Sequence, residues 1–410
     1  MSVDASRLLA WYDERKRDLP WRRTPIDPYR VWISEIMLQQ TRVDTVIGYY
    51  ERFLARFPTV NALANARLDD VLALWSGLGY YARARNLHRA AQRIRDEHAG
   101  RFPDDANAVR ALPGIGDYTA GAVLSIAFGR REALVDGNVI RVLARVRALA
   151  GNPKESRLKN ACWDLARALV PAERPGDFNQ ALMELGATVC TPRSPRCGEC
   201  PISRACSARE QGRAEEIPAT PPKAKRPHRR VDCAVIARGD RVLLVRRPDE
   251  GLLGGLWELP SAPKRGRGGA TLPEAIADAL GLAVSVGRRA ASVEHAFSHF
   301  DLTLDAFACE ASGEVRDAAG LWVARENLAA YGMGAAMRRV LEISASGGNR
   351  AKRACRREKH ALISASAPSS PRREARPSKG TSRSRRRPPA SGKRRPRTAA
   401  RRLRRPRSSR

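Results

Sequence analysis

Four cysteines lie within seventeen residues of the sequence, at intervals that suit a metal centre. The pattern is Cys-x6-Cys-x2-Cys-x5-Cys, formed by Cys190, Cys197, Cys200 and Cys206. Thiolates at such short intervals are the soft ligands of an iron–sulfur cluster or of tetrahedral zinc. The other four cysteines are scattered along the chain. We therefore expect a metal centre in this loop, with an iron–sulfur cluster favoured and zinc as the alternative.

Two acidic residues lie in contrasting sequence settings. Glu35 is surrounded by the apolar residues of Val31 to Leu38, where burial would raise its pKa and keep a proton available near neutral pH. Asp136 precedes a predicted helix, a position that favours the ionised carboxylate. A protonated acid and a carboxylate together can cleave a glycosidic bond, because the first protonates the leaving group and the second stabilises the cationic sugar. The alternative is that Asp136 is only a helix cap and that Glu35 lies on an exposed helical strip.

A glycine-rich turn occupies residues 112–118, directly before another predicted helix. Gly114 and Gly116 carry no Cβ, so the backbone N–H groups of the turn can approach an anion, and the helix N-terminus adds a favourable dipole. We predict that this turn contacts phosphate. An ordinary helix–turn–helix with glycine at its turn is the alternative.

The elements that would position these residues are predominantly helical in the first half of the chain. Apolar residues recur at helical spacing through residues 1–206, which predicts an all-α domain with the cysteine loop at 190–206. Residues 207–230 are rich in proline and basic side chains and predict a linker.

The second half of the chain changes to a strand-like period. A hairpin is predicted around residues 237–240, a further strand around residues 300–306, and helices at 272–282 and 334–343. We therefore expect a small α+β domain at residues 231–343. Residues 344–410 contain almost no large apolar residue, so this tail is predicted to be disordered.

The charge is strongly basic and concentrated at the C-terminus. The chain has 75 Lys and Arg residues against 43 Asp and Glu residues, a net charge of +32, and 24 of the basic but 2 of the acidic residues lie in 345–410. Such a balance indicates a polyanionic partner such as nucleic acid. The sequence shows neither a signal-peptide pattern nor an apolar stretch of the ~20 residues that would span a bilayer, so we expect a cytoplasmic protein with no membrane partner.

Taken in order, these motifs resemble the helix–hairpin–helix DNA glycosylases, and among them the MutY-type adenine glycosylases. The similarity extends from about residue 5 to residue 343. It rests on five segments: residues 34–41 (SEIMLQQT), 77–81 (GLGYY), 112–116 (LPGIG), 135–139 (VDGNV) and the cysteine loop. The residues at 254–260 (GGLWELP) and 297–299 (FSH) resemble the Nudix-like C-terminal domain of the same family.

The resemblance implies a role for each site residue. Glu35 would protonate adenine, Asp136 would stabilise the developing positive sugar, and Tyr118 and Asn138 would assist around the sugar. The other implied sites are the phosphate contacts at Gly114 and Gly116, the wedge and opposite-base contacts at Gln40, Thr41, Leu78 and Tyr80, the 8-oxoguanine contacts at Phe297, Ser298 and His299, and the [4Fe-4S] ligands Cys190, Cys197, Cys200 and Cys206. Because the helix at 272–282 offers only Glu274 and Asp278, the second domain is expected to read the lesion without hydrolysing nucleotides.

The implied function is base excision repair by a monofunctional glycosylase. It would remove adenine paired with 8-oxoguanine or guanine from duplex DNA and leave an abasic site, acting as a monomer associated with the nucleoid. In the related endonuclease III type, a lysine at the position of Tyr118 attacks the sugar, and a tyrosine cannot form that imine. The alternatives are an endonuclease III-like bifunctional glycosylase/lyase and a non-catalytic basic DNA-binding protein.

Overall fold

A computed structural model of the chain describes residues 3–219, 225–264, 270–316 and 320–345. The predicted disordered tail therefore lies outside the described residues, apart from its first two positions. Both predicted domains belong to one compact unit, Met1–Arg353. None of the helices in the described ranges is long and apolar enough to cross a membrane.

The first domain consists of helices joined by short turns. Eleven helices precede the cysteine loop: α1 Ala5–Arg15, α2 Pro28–Leu38, α3 Val43–Arg56, α4 Val60–Ala64, α5 Leu68–Trp75, α6 Ala82–Glu97, α7 Ala106–Arg110, α8 Asp117–Phe128, α9 Gly137–Val146, α10 Ser156–Leu169 and α11 Pro175–Thr188. Local signals set several of the boundaries. The Asp27 side chain accepts a hydrogen bond from the N–H of Tyr29 and caps α2, Pro28 occupies its first turn, and Gly129 ends α8 in the left-handed conformation.

Two apolar cores divide this domain, and α8 lies between them. The first core surrounds Trp32, Phe53 and Trp75, and it buries almost the whole of α2. The second core collects apolar residues of α1, α9, α10 and α11. Since α8 contributes to both, with Val123 in the first and Ala122 in the second, its N-terminus is brought beside α2.

The segment that follows the cysteine loop packs back onto the helical domain. A short helix, α12, spans Ser207–Glu210, and Ala208 and Ile217 are both buried in the second core. The Ile217 carbonyl accepts a hydrogen bond of 2.8 Å from Arg145. The extended connection between the domains is thus confined to the residues after 217, of which 220–224 lie outside the described ranges.

The second domain is a mixed sheet flanked by two helices. Its strands are β1 His228–Arg238, β2 Arg241–Arg246, β3 Trp257–Glu258, β4 Ser261–Pro263, β5 Ala283–Ala296, β6 Asp301–Ser312 and β7 Leu321–Ala324. The described strands are ordered β3-β2-β1-β6-β5, with β4 paired to β1 and β7 to β2, and only the β1–β6 pair is parallel. Helix α13, Leu272–Leu280, and helical residues 335–345 complete the domain.

The predicted hairpin is present, and the predicted strand near residue 300 is buried on both faces. Strands β1 and β2 pair Arg238 with Arg241 across a turn at Gly239, whose φ is 61°. In β6, Thr303 and Asp305 are buried like their apolar neighbours. Asp305 accepts hydrogen bonds from Ser292 at 2.7 Å and from Arg289 at 3.4 Å, both on β5, and these cross-strand partners compensate the burial of its carboxylate.

Candidate active site

Glu35 is a buried acid held by one hydroxyl donor. Its side chain is 4% exposed on α2, and the Tyr118 hydroxyl donates a hydrogen bond to its Oε2 atom at 2.5 Å. Burial raises the pKa of Glu35 to about 7, and the negative charge of Asp136 adds to the rise, while the Tyr118 hydrogen bond and the Arg22 cation oppose it. This carboxyl group therefore holds a proton in a large fraction of molecules at neutral pH.

The glycine-rich turn positions the Tyr118 side chain beside Glu35. Gly114 has a φ of 78°, and a Cβ atom there would lie 2.6 Å from the Cβ of Asn86, so only glycine fits the turn. Tyr118 follows in the first turn of α8, where burial, and secondly the charge of Glu35, raise its pKa well above the usual value. The hydroxyl consequently stays protonated and acts as a donor.

Asp136 caps α9 and lines an open cleft. Its Oδ1 accepts the N–H of Val139 at 2.7 Å, and its Oδ2 accepts the Asn138 side-chain amide at 2.8 Å. Burial raises the pKa of Asp136, whereas these hydrogen bonds lower it by stabilising the carboxylate. The cleft has a volume of about 670 Å³, within the usual range for ligand sites. It is lined by Leu38, Gln39, Gln40, Thr41, Arg42, Gly116, Tyr118, Thr119, Asp136, Gly137 and Asn138.

The cleft thus brings together several residues that the sequence predicted separately. Asp136, Asn138, Tyr118, Gln40 and Thr41 all line it. Glu35 lies beneath it and is connected to it through the Tyr118 hydroxyl.

Two arginines of α9 contact the cysteine loop, and Arg141 also contacts Asn138, the partner of Asp136; sequence reasoning missed both. Arg141 donates to Asn138 Oδ1 at 2.8 Å and to the carbonyl of Cys190 at 2.7 Å. The fully buried Arg145 donates to the Cys190 sulfur at 3.2 Å. Their spacing of four residues on the helix that Asp136 begins was the available signal, since it places both on one helical face.

The four cysteine thiols surround one shared cavity together with Arg145. Burial raises the pKa of Cys200 to about 12 and also raises that of Cys206, so thiolates there need a compensating cation. An iron–sulfur cluster takes cysteine thiolates onto separate irons around a common centre. The donor set therefore fits a cluster.

Two of the segments predicted to read DNA, those of Tyr80 and Ser298, meet where the two domains contact each other. Gln40 and Tyr80 both have positive φ angles, 58° and 49°, and Tyr80 is 45% exposed. The Tyr80 hydroxyl is hydrogen-bonded to that of Ser298, and Phe297 stacks on Phe300 with ring centroids 4.6 Å apart. His299 packs edge-on against the Phe300 ring, with centroids 4.9 Å apart.

Leu78, also predicted as part of the wedge, is only 6% exposed and packs in the first core. In this conformation its side chain is therefore not available to a duplex.

Helix α13, where a Nudix hydrolase would need metal-binding carboxylates, uses its glutamate otherwise. Glu274 accepts a hydrogen bond of 2.7 Å from the backbone N–H of Thr271 and forms a capping box at the start of the helix. In this conformation the Glu274 carboxylate therefore serves the start of the helix.

Comparison with known proteins assigns three parts of the chain to families. Residues 33–168 match the HhH-GPD superfamily of base excision DNA repair proteins, residues 190–206 match the iron–sulfur binding domain of endonuclease III, and residues 232–343 match the NUDIX domain. These matches confirm the predicted fold class, and with the relatives below they confirm the [4Fe-4S] cluster as the cofactor.

Similar proteins cover most of the sequence. An adenine DNA glycosylase of Rattus norvegicus is 40% identical over 395 residues, which cover 82% of this chain and 77% of the relative. That of Homo sapiens is 38% identical over 397 residues, covering 82% and 73%. A solved structure of a thermostable thymine-DNA glycosylase is 33% identical and covers 50% of this chain and 95% of its own, with a TM-score of 0.46. The chain belongs to the adenine DNA glycosylase family of base excision repair enzymes.

Proposed function

We propose that this protein hydrolyses the N-glycosidic bond of adenine paired with 8-oxoguanine or guanine in duplex DNA, and leaves an abasic site. The observation that carries the proposal is the buried Glu35, with a pKa of about 7, hydrogen-bonded to Tyr118 at a cleft that Asp136 lines. Since an adenine inside the base stack cannot reach Glu35, the nucleotide must first be extruded into this cleft.

Each residue of the site has a distinct task in this proposal. Glu35 delivers its proton to the adenine base as the bond to the sugar breaks, and the Tyr118 hydroxyl stabilises the carboxylate that remains. Asp136 stabilises the positive charge that develops on the sugar, and Asn138 orients the Asp136 carboxylate through their 2.8 Å hydrogen bond. Water then adds to the sugar and loses a proton, which restores the protonated form of Glu35 and completes the hydrolysis.

We propose a monofunctional enzyme because the described residues around the cleft offer no amine nucleophile. None of the described residues that line it is a lysine. A Schiff base with the sugar requires a primary amine, and the Tyr118 hydroxyl cannot supply one. Borohydride treatment during turnover should therefore trap no covalent protein–DNA adduct, whereas an endonuclease III-like lyase would be trapped.

The remaining predicted residues form the DNA-binding surface and the cluster site of the proposal. Gly114 and Gly116 present the turn to phosphate, while Gln40, Thr41, Leu78 and Tyr80 contact the space left by the adenine and the base opposite, for which Leu78 must emerge from the core. Phe297, Ser298 and His299 read 8-oxoguanine, and the Tyr80–Ser298 contact supports this by joining both groups. Cys190, Cys197, Cys200 and Cys206 bind the [4Fe-4S] cluster, which when bound pins the loop that Arg141 ties to Asn138.

The protein is further proposed to act as a monomer in the cytoplasm, associated with the nucleoid. The net charge of +32 supports the association with the nucleoid, because it favours salt-dependent, sequence-independent contact with DNA phosphates.

Adenine release from defined duplexes tests the proposal. Three duplexes carry one adenine opposite 8-oxoguanine, guanine or thymine, and alkali cleaves the strand wherever a base has been lost. We expect cleavage at the adenine of the first two duplexes and none at the third. No release from either mispair by protein with an intact cluster spectrum would contradict the proposal and favour a non-catalytic DNA-binding protein.

A further inference from the structure

Arg83, on helix α6, reaches the end of the helix that carries Glu35. Its Nη1 group donates to the carbonyl oxygens of Ile36, Met37 and Gln39 at 2.7, 3.0 and 2.6 Å. These carbonyls belong to the last turn of α2 and the residue after it, where helix carbonyls lack partners within the helix. The guanidinium therefore holds the C-terminal end of α2 in place.

The second terminal nitrogen of the same guanidinium contacts the loop at residues 78–80. Its Nη2 group donates to the carbonyls of Leu78 and Gly79 at 3.3 and 3.2 Å and to the Thr41 hydroxyl at 3.3 Å. The Arg83 guanidinium also lies 5.7 Å from the ring centroid of Tyr80. One planar group thus spans the two segments that carry the proposed contacts to the base opposite adenine.

The second domain holds that loop from the other side. The Tyr81 and Ser76 hydroxyls both donate to the carbonyl of Met333 at 3.0 Å, and Arg338 donates to the Ser76 hydroxyl at 3.1 Å. A continuous path of contacts therefore runs from the second domain through residues 76–81 and Arg83 to the end of α2.

The partners of Arg83 are unusual for a partly buried cation. Every hydrogen bond that the structure records for it goes to a backbone carbonyl or to Thr41, and none of the described carboxylates pairs with it. Burial lowers the pKa of Arg83 to about 10, which still leaves it charged at neutral pH. Carbonyl dipoles at a helix C-terminus compensate such a charge, and they do so only in a fixed geometry.

We propose that Arg83 is a positioning residue that keeps the loop reading the opposite base in register with the catalytic helix. Through it, adenine excision depends on which base the loop contacts. This inference rests on the proposed function, because it presumes that residues 78–80 contact the base opposite adenine. Arg83 itself touches neither the cleft-lining acids nor the cysteine loop.

Single-turnover rates of three variants test this role. The substrates carry adenine opposite 8-oxoguanine, opposite guanine, and opposite an abasic analogue that presents no base to read. Because an error of 1 Å in positioning can cost about 100-fold in rate, R83M should lose about 10-fold or more on the 8-oxoguanine duplex. It should lose less than about 3-fold on the abasic duplex, so that the preference for 8-oxoguanine collapses.

The R83K variant separates geometry from charge. Lysine keeps the cation but presents its donors from one point, so it cannot span both segments, and R83K should show the same collapsed preference. R95M is the matched control, because Arg95 lies on the same helix and also donates to a backbone carbonyl, that of Ala64, away from either segment. R95M should keep the wild-type preference.

Equal proportional losses on all three duplexes, or full recovery of the preference in R83K, would overturn the role of Arg83. If R83M fails to fold, as circular dichroism would show, the R83K comparison decides. A wild-type enzyme without preference between 8-oxoguanine and guanine would contradict the proposed lesion specificity, and Arg83 would then be judged on the guanine and abasic duplexes. A wild-type enzyme indifferent to all three overturns both.

Discussion

Two buried glutamates of the helical domain behave in opposite ways. Glu35 is 4% exposed and Glu184 is 1% exposed. Glu184 accepts hydrogen bonds from Arg17 at 2.6 Å and from Arg22 at 2.8 Å, and these partners lower its pKa in spite of burial. Among the described residues, Glu35 has only the neutral Tyr118 hydroxyl as a hydrogen-bond donor, and burial raises its pKa to about 7. The partner decides which ionisation state a buried carboxyl adopts.

The difference assigns the two carboxyls separate roles. Glu184 is a permanent anion that ties the segment of Arg17 and Arg22 to helix α11, and it is structural. Glu35 can hold and release a proton near neutral pH, as a general acid must. The positive charge of Arg22 lowers the pKa of Glu35. Because Arg22 is also paired with Glu184, the negative charge of Glu184 offsets part of this effect.

The largest effect is expected from E35Q. The amide keeps the size of the side chain but cannot protonate adenine, so release from an 8-oxoguanine duplex should fall by about 10²–10⁴-fold, while the affinity for the duplex persists. Single-turnover release and a gel-shift titration measure the two quantities. Activity within a few-fold of wild type would show that another group supplies the proton.

E184Q should lower the stability of the folded protein more than it lowers adenine release. Removing one partner of a buried ion pair leaves Arg22 without its counter-charge, which typically costs about 3–5 kcal/mol in the free energy of unfolding. Urea-induced unfolding at pH 7 measures the loss. The control E97Q removes an exposed carboxylate paired with Arg93, and it should leave the unfolding midpoint unchanged. Equal stability of E184Q and E97Q would contradict the structural role of Glu184.

The rate of adenine release should vary with pH as the protonated fraction of Glu35 does. Since the acid must be protonated, the rate should fall about tenfold per pH unit above pH 7. A profile that stays flat up to pH 9 would be incompatible with this assignment.

The free energy of unfolding should depend on pH in opposite ways through the two glutamates. The folded-state pKa of Glu35 is raised, so its contribution to stability is present below its unfolded pKa near 4.5 and is lost as the pH rises through 7. That of Glu184 is lowered, so its contribution is present above its unfolded pKa and is lost as the pH falls. Relative to wild type, E35Q should thus become more stable on raising the pH, and E184Q on lowering it.

Y118F should give the smallest effect. It removes the hydroxyl that stabilises the ionised form of Glu35, so the descending limb of the pH–rate profile should move upward by about one pH unit. Rates below pH 6 should fall by only about tenfold or less, because the carboxylate left by proton transfer loses one hydrogen bond. A downward shift would show that Tyr118 stabilises the protonated acid instead.

The burial of Glu35 and the cysteine loop could be predicted from the sequence because their signals are local. The four cysteines lie within seventeen residues, and the apolar neighbours of Glu35 are adjacent to it in the chain. Glu184 lies in a similar helical stretch and was missed, since its partners Arg17 and Arg22 are 167 and 162 residues away. Arg83 was missed because its partners are mostly backbone carbonyl groups. Every residue carries such a group, so the sequence does not indicate which of them an arginine contacts.

By itself, the sequence determined the order of the domains, the helical and strand periods, the cysteine pattern and the candidate acids, since each depends on residues within a turn or two of one another. Only the tertiary structure decided that Tyr118 meets Glu35 across 83 positions, that two arginines neutralise Glu184, and that Arg83 joins the reading loop to α2. The physical reason is that pKa values and hydrogen bonds depend on distances through space. For segments far apart in the chain, the spacing of residues in the sequence does not give these distances.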